Sequence, residues 1–369
     1  MRGYFVCSEC GATYGFTDIR QGFRCAKCGG VLDVKGFERV WSPAGSGISR
    51  YSSMLALTPV KSLGEGCTPL VAMEWRGLRI YLKLEHLNPS GSFKDRGTAM
   101  AISHAYRLGI DRVVEDTSGN TGISVAMYSR ALGIRACIAM PRDAPEGKKL
   151  AIRLFGGEVI EASSRAEATA IAIDLTTKHG YYYIDHLSSP LYIEGYRTIA
   201  YEVFERIGVP DAMIVPAGSC GLLIGTYRGF EDLYRLGFAR RLPRVVAVQG
   251  VEVAPLYEKV YGGKPGGGSS RIADGIRVPN PPRLAEAVDI VRSSGGRVVL
   301  VDDNEIVHAL RELIDMGFVV EPTSATVYAA LIKVVDDLKS LGVESVLLVL
   351  TGSGLKMLDK LYGLLTSSG

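Results

Sequence analysis

From residue 78 onward, short apolar runs alternate with stretches in which apolar residues recur every three or four positions. LRIYLKLE (78–85) reads as a strand and DRGTAMAISHAYRLG (95–109) as a helix with one apolar face. The rhythm repeats through strand RVVEDTS (112–118), helix TGISVAMYSRALG (121–133), strand IRACIAMP (134–141), helix KKLAIRLFG (148–156) and strand EVIEA (158–162). Helix SRAEATAIAIDLTTKHG (164–180), strand YYYID (181–185), helix EGYRTIAYEVFERIG (194–208) and strand AMIVPAG (212–218) follow. Helix LLIGTYRGFEDLYRLG (222–237) and strand RVVAVQG (244–250) continue the pattern. The tail reads as helix NEIVHALRELIDMG (304–317), helix SATVYAALIKVVDDLKSLG (324–342) and strand SVLLVLTGSG (345–354). Continuous apolar strands separated by amphipathic helices predict an α/β fold with largely parallel sheets. In such sheets ligands sit beyond the carboxyl ends of the strands. Four small-residue loops occupy that position: NPSGSFKDRGT (88–98), DTSGNTG (116–122), PAGSCG (216–221) and LTGSG (350–354).

The first 36 residues break this pattern, being short, polar and rich in Gly and Cys, and residues 37–60 read as a connecting arm. GGKPGGGSS (262–270) reads as a loop. At 369 residues, 47% hydrophobic and 22% charged, the chain is an ordinary globular sequence of two or three domains. A net charge of +3 with dispersed Lys and Arg argues against a nucleic-acid or membrane surface. No apolar run reaches the roughly 18–20 residues of a membrane span, and MRGYFVCSEC lacks a signal core, so a cytoplasmic protein is expected.

The seven cysteines divide into two CxxC knuckles, Cys7/Cys10 and Cys25/Cys28, each followed by Gly, and three scattered residues. An odd total argues against a disulfide framework. Four thiolates suit a tetrahedral, structural Zn2+, and a segment too short for its own core would take its folding energy from the metal. PAGSCG joins a strand to a helix start, where consecutive backbone N–H groups can hold an anion, although a tight turn has the same appearance. Thr117, Ser118, Asn120 and Thr121 can cap the next helix, but four such side chains exceed what one cap needs and suggest a carboxylate-binding loop. Lys94 stands at a helix start, where the dipole opposes its charge and favours the free amine. Taken singly, it also reads as a surface lysine paired with Asp95.

Together these motifs resemble the fold type II pyridoxal-phosphate enzymes, the tryptophan synthase β-like group, and among them the threonine synthases most. The resemblance rests on GEGCTPL (64–70), YLKLEHLNPSGSFKDRGT (81–98), the Ser-Gly-Asn-Thr loop, PAGSCG, LTGSGLK (350–356) and the Cys-rich leader followed by SGISRYSSMLAL (46–57), and it spans nearly the whole chain. It implies two three-layer αβα domains and a small N-terminal zinc ribbon. The expected parts are a ribbon over 1–36, a cofactor domain from 37–97 and 196–369, and a smaller mobile domain over 98–195. It implies pyridoxal 5'-phosphate held by Lys94 as the Schiff-base lysine, with Asn120 at O3′. Gly218, Ser219, Cys220, Gly221 and Leu222 would hold the phosphate, and Thr351 would contact the ring nitrogen. Thr117, Ser118 and Thr121 would hold the carboxylate of a small amino-acid substrate. A homodimer is also implied.

For a threonine synthase the substrate is O-phospho-L-homoserine, which needs a phosphate site of its own. There the chain departs from the bacterial-type motif: in DHLSSPLYIEGYRT (185–198), Asp185 and His186 stand where Asn and Ser would, and Tyr192 stands where Arg would. His186, Arg197 and Arg153 are the basic residues available to compensate. The alternative activities are a serine/threonine dehydratase, or a cysteine or cysteate synthase using phosphoserine. Glu194-Gly195 and Glu321-Pro322 do not decide between them and read equally as caps and turns.

Overall fold

The protein, described here from a computed structural model, is defined over residues 1–19, 22–263 and 266–366. The chain opens with short strands β1 (Tyr4–Cys7), β2 (Thr13–Tyr14) and β3 (Leu32–Lys35), followed by β4 (Leu70–Trp75) and β5 (Leu78–Lys83). The alternating region begins with α1 (Lys94–Arg107), β6 (Arg112–Asp116), α2 (Asn120–Ala131), β7 (Arg135–Pro141), α3 (Glu146–Leu154) and β8 (Glu158–Ala162). It continues with α4 (Arg165–His179), β9 (Tyr182–Tyr183), α5 (Pro190–Ile207), β10 (Ala212–Pro216), α6 (Gly221–Arg235) and β11 (Arg244–Gly250). It ends with α7 (Pro255–Tyr261), α8 (Leu284–Ser293), β12 (Arg297–Val301), α9 (Asp303–Asp315), α10 (Pro322–Ser340), β13 (Ser345–Val349) and α11 (Leu358–Thr366). Residues 262–263 and 266–270 are neither helix nor strand, and Lys264 and Pro265, also within the expected loop, lie outside the described residues. Backbone contacts group the chain into two units: Met1–Cys67 with Asn88–Thr198, and Thr68–Leu87 with Ile199–Gly369.

In the first unit β1 pairs antiparallel with both β2 and β3, and β8-β7-β6-β9 form a parallel sheet. The Cys-rich segment has little core of its own, so its rings insert around His104 of α1. Phe5, Phe16 and Phe23 lie 5.8, 6.0 and 5.9 Å from that imidazole, centroid to centroid. Burial pushes the His104 pKa down to about 4, so the ring is neutral. Its Nε2 donates to the Phe16 carbonyl at 2.8 Å, and its Nδ1 accepts from the Tyr182 hydroxyl at 2.8 Å. The ribbon is thereby fastened to the helix that begins at Lys94. At the other end of α1, close helix approach is set by Gly195 of α5: a Cβ there would stand 2.2 Å from the Arg96 carbonyl oxygen.

In the second unit the strand order is β12-β11-β10-β13-β5-β4, parallel except for β4, which runs antiparallel to β5. The central strands are apolar on both faces, as burial beneath helices requires. Asp302 and Glu305 form a reciprocal capping box at the start of α9. Glu321 is the N-cap of α10 with Pro322 at its first turn, so that pair does act as a helix start. Glu194 and Gly195, by contrast, lie inside α5 and neither cap nor turn it.

Candidate active site

Lys94 is the first residue of α1, and its side chain is half-buried. Asp95 is not its partner. The Asp95 carboxylate is buried and accepts hydrogen bonds from Ser90 N (2.7 Å), Ser90 Oγ (2.5 Å) and Ser124 Oγ (2.6 Å). Lys94 Nζ lies 5.0 Å from the Phe93 ring centroid and has no hydrogen bond or ion pair among the described residues. Desolvation by the surrounding protein lowers its pKa to about 8; Glu115 acts against that shift and Arg165 with it. An amine with this pKa is about one-tenth free base at pH 7, far more than an ordinary lysine, and the free base is what a nucleophile requires.

The Ser124–Asp95 hydrogen bond fastens α2 beside the start of α1. No side chain caps α2, so the hydroxyls of DTSGNTG are not spent on capping. Thr117 and Thr121 are buried, Ser118 and Asn120 are half-buried, and Thr117 Oγ1 accepts from Gly119 N at 3.0 Å. Hydroxyl and amide side chains are therefore concentrated at the carboxyl end of β6.

In the second unit β10 and β13 are hydrogen-bonded neighbours running parallel, with Ile214 opposite Leu348. Their carboxyl ends therefore bring PAGSCG and LTGSG side by side. Cys220 takes a left-handed conformation (φ 65°) as N-cap of α6 and provides no side-chain cap. The N–H groups of Gly218, Ser219 and Cys220 have no hydrogen-bond partner among the described residues, which leaves an open anion cradle at a fifteen-residue helix start. A Cβ at Gly218 would stand 2.5 Å from the Gly275 carbonyl oxygen, so only glycine fits. Thr351 is buried, and its Oγ1 is 2.9 Å from Ser324 Oγ, which also donates to the Gly352 carbonyl at 3.1 Å.

Cys7, Cys10, Cys25 and Cys28 converge, with all four sulfurs within 4.8 Å of one another. The turns after each knuckle close through Gly11 N to Cys7 O (3.1 Å) and Gly29 N to Cys25 O (2.8 Å). None of the four is in a disulfide. A hydrogen bond from the Tyr14 hydroxyl, at 3.1 Å, is the main cause lowering the Cys25 thiol to about 6.

The departures in 185–198 have definite surroundings. Asp185 is buried with φ 44°, and burial raises its carboxyl pKa; Arg24 lies 4.0 Å away. Tyr192 is buried, its hydroxyl 2.8 Å from Thr98 Oγ1. Arg197 is held by Glu194 at 2.8 Å, and Arg39 clasps the same carboxylate with two hydrogen bonds of 3.0 and 2.7 Å. Arg153 is on α3, paired with Glu146 at 3.3 Å. His186 Nδ1 contacts Glu115 Oε1. Glu115 escaped notice in the sequence. Its only signal was a pair of acids, Glu115 and Asp116, closing a strand directly after the apolar pair Val113 and Val114.

The profile of the family described as pyridoxal-phosphate dependent enzyme matches residues 61–352. A threonine synthase of Methanosarcina acetivorans is 30% identical over 381 residues, covering 96% of this chain and 92% of its own length. One of Methanocaldococcus jannaschii is 31% identical over 375 residues, covering 95% and 92%. Among solved structures, maize serine racemase superposes with a TM-score of 0.69 at 24% identity, over 82% of this chain and 93% of that one, and shares the fold. With a lysine amine of lowered pKa and a glycine-containing loop at a helix start, each following a strand, and a family match over most of its length, the chain belongs to the pyridoxal-phosphate-dependent enzymes.

Proposed function

We infer that the chain is a threonine synthase, converting O-phospho-L-homoserine and water to L-threonine and phosphate. The observation that carries this reading is similarity to threonine synthases along nearly the entire length of both partners. The residues present also fit pyridoxal phosphate. Lys94 offers a partnerless amine of lowered pKa, PAGSCG offers unoccupied N–H groups for a phosphate, and Thr351 offers a hydroxyl fixed by Ser324.

When bound, the cofactor supplies an electron sink for charge developing on the substrate carbons. The rest falls to the chain's own side chains. Lys94 would hold the cofactor aldehyde, and its amine would carry protons between substrate carbons. Gly218, Ser219, Cys220, Gly221 and Leu222 hold the cofactor phosphate through backbone N–H groups. Asn120 hydrogen-bonds O3′, and Thr117, Ser118 and Thr121 orient the substrate carboxylate. Thr351 meets the ring nitrogen with a neutral hydroxyl. Lacking a carboxylate's charge, Thr351 would not stabilise a protonated ring, which would favour elimination and replacement over transamination.

Purified protein given phosphohomoserine is expected to release phosphate and threonine in equal amounts. Indifference to that substrate, with ammonia and 2-oxobutanoate formed from threonine, would establish the dehydratase reading instead.

The four cysteines are proposed to hold a structural Zn2+: four sulfurs within 4.8 Å leave no position open for a reacting water. Metal analysis should find one zinc per chain. Chelation should loosen the ribbon and so expose the Phe5, Phe16 and Phe23 rings around His104, read as a rise in fluorescence of a hydrophobic dye. A metal-free protein with the same dye binding and thermal midpoint would refute the assignment. The enzyme is further taken to be a homodimer, as the family resemblance implies. Light scattering would then report twice the 39.7 kDa chain mass.

A further inference from the structure

Lys148 is 2% exposed, although it stands in the first turn of α3. Both conditions oppose it. Desolvation disfavours a buried charge, and a helix N-terminus disfavours a cation. The buried residues of α3 are Lys148, Lys149 and Ile152. Lys149 is accounted for by its own surroundings: its Nζ donates to Glu161 Oε1 at 2.9 Å and to the Arg142 carbonyl at 2.6 Å. Lys148 and Ile152 are four positions apart and so share one face of the helix. That face lies against the start of α2.

The register of the contact is definite. Ile152 meets Gly122, where a Cβ would stand 3.0 Å from Ile152 Cδ1. One turn earlier Lys148 meets Gly119, the N-cap of α2, whose φ of 147° is one that L side chains rarely adopt. A Cβ at Gly119 would stand 2.2 Å from Lys148 Cδ and 3.2 Å from its Cβ and Cγ. The lysine stem therefore lies across the backbone between Ser118 and Asn120, and Nζ follows two bonds beyond Cδ. From Thr117 to Thr121 the loop carries hydroxyls and one amide, none of them charged. The other cations that follow strands of this sheet are placed differently. Arg142 and Arg165 have side chains 76% and 42% exposed. Burial pushes the His186 pKa well below its ordinary value, so that ring is neutral. Lys148 is the buried cation laid on the loop.

We propose that Lys148 binds the carboxylate of the amino-acid substrate, its ammonium supplying the positive charge that Thr117, Ser118 and Thr121 lack. A carboxylate taken out of water is strongly disfavoured unless a partner charge or several hydrogen bonds meet it. Here the ammonium is desolvated when the chain folds, so that part of the cost is already met before the substrate arrives. A charge-assisted hydrogen bond is also roughly twice as strong as a neutral one. The hydroxyls then orient the carboxylate, and Lys148 sets its affinity. Gly119 is needed because any Cβ would drive the stem off the loop. The inference deepens the reading of residues 117–121 as the carboxylate site and rests on it.

The probe is L-threonine, the product under one functional reading and the substrate under the other. Its dissociation constant is read from the change it causes in the visible band of the holoenzyme. Lys148→Met keeps an unbranched stem against Gly119 and removes the charge. L-Threonine should bind this variant about tenfold more weakly, or worse. L-Threonine amide, which has no carboxylate charge, should bind native and variant enzyme alike. Equal weakening of both compounds would make Lys148 structural and overturn the proposal, as would unchanged binding of L-threonine. A variant that binds L-threonine normally but is no longer inhibited by inorganic phosphate would also overturn it, and would give Lys148 to the phosphate end of the substrate. Lys148→Gln is read in the same way if Lys148→Met does not fold. A native holoenzyme whose band ignores L-threonine would overturn the reading of residues 117–121 and the inference with it. That failure shows in the native protein, whereas failure of the inference alone shows only in the variants.

Discussion

Lys94→Ala is expected to give a folded protein that no longer shows the visible band of lysine-bound pyridoxal phosphate, with turnover lower by on the order of a thousandfold or more. The fold should not suffer. Lys94 makes no hydrogen bond or ion pair among the described residues, and its charge stands at the unfavourable end of α1. Removing a cation from a helix N-terminus is worth about 0.3–1 kcal/mol in favour of the fold. Linkage adds in the same sense. The Lys94 pKa is lowered to about 8 in the folded chain, so the unfolded chain binds that proton more tightly. The residue therefore opposes folding at pH below about 8, and its burden lifts as pH rises through the unfolded value near 10.4. An active-site lysine is thus distinguished from a structural one by a thermal midpoint that stays level or rises while activity vanishes. The same lowered pKa gives the native protein a pH signature. Attachment of an aldehyde at Lys94 should speed up as pH rises and level off above about 8, where an exposed lysine would continue to gain. A variant that kept its colour, or a rate still climbing at pH 10, would remove Lys94 from the mechanism.

Lys83→Met is expected to have the opposite profile, large in stability and small in chemistry. Lys83 is the last residue of β5 and is 1% exposed. Its Nζ donates to Glu202 Oε2 at 2.6 Å, to the Thr68 carbonyl at 2.6 Å and to Thr68 Oγ1. Glu85 Oε1 is 3.8 Å away and accepts from Thr68 Oγ1 at 2.6 Å. Removing this cation takes an ion-pair partner from the buried Glu85 and Glu202 carboxylates. Breaking a buried pair in this way costs about 3–5 kcal/mol, read from the urea unfolding midpoint. Because the penalty comes from breaking the Lys83–Glu202 ion pair on one side only, Lys83→Met combined with Glu202→Leu should recover much of the loss. A single variant within about 1 kcal/mol of native would show that the cluster contributes little net stability.

The elements written plainly in the sequence are those where local pattern and tertiary environment agree. SATVYAALIKVVDDLKSLG carries its helical period unaided and becomes most of α10. AMIV and SVLLV are continuous apolar runs because β10 and β13 are buried on both faces. β4 was passed over: LVAMEW has a four-residue apolar run but no turn signal or alternation to mark it, and as the antiparallel edge strand it is exposed or half-buried throughout. YYYID was overread, since only Tyr182 and Tyr183 pair, with Val113 and Val114 of β6. The helix LAEAVDIVRS and strand RVVLV were passed over although their periods are present, with Ala287, Val288 and Val291 on the buried face of α8 and RVVLV forming β12.

The chemistry divides in the same way. Lys94, Asn120, the PAGSCG loop and the four cysteines could be picked out because each motif is contiguous or nearly so, and a short segment sets its own turn, helix start or knuckle. The sequence alone also established the α/β class, since the spacing of apolar residues reflects which faces are covered. Only the folded chain placed β13 beside β5, joined His104 to Phe16, and brought His186 to Glu115 across 71 positions. Those pairings depend on which surfaces meet after collapse, and a carboxylate or imidazole in a strand or loop carries no local mark of the partner it will find. The protonation of Lys94, Glu115 and His186 is likewise tertiary, because desolvation is a property of everything packed around a group.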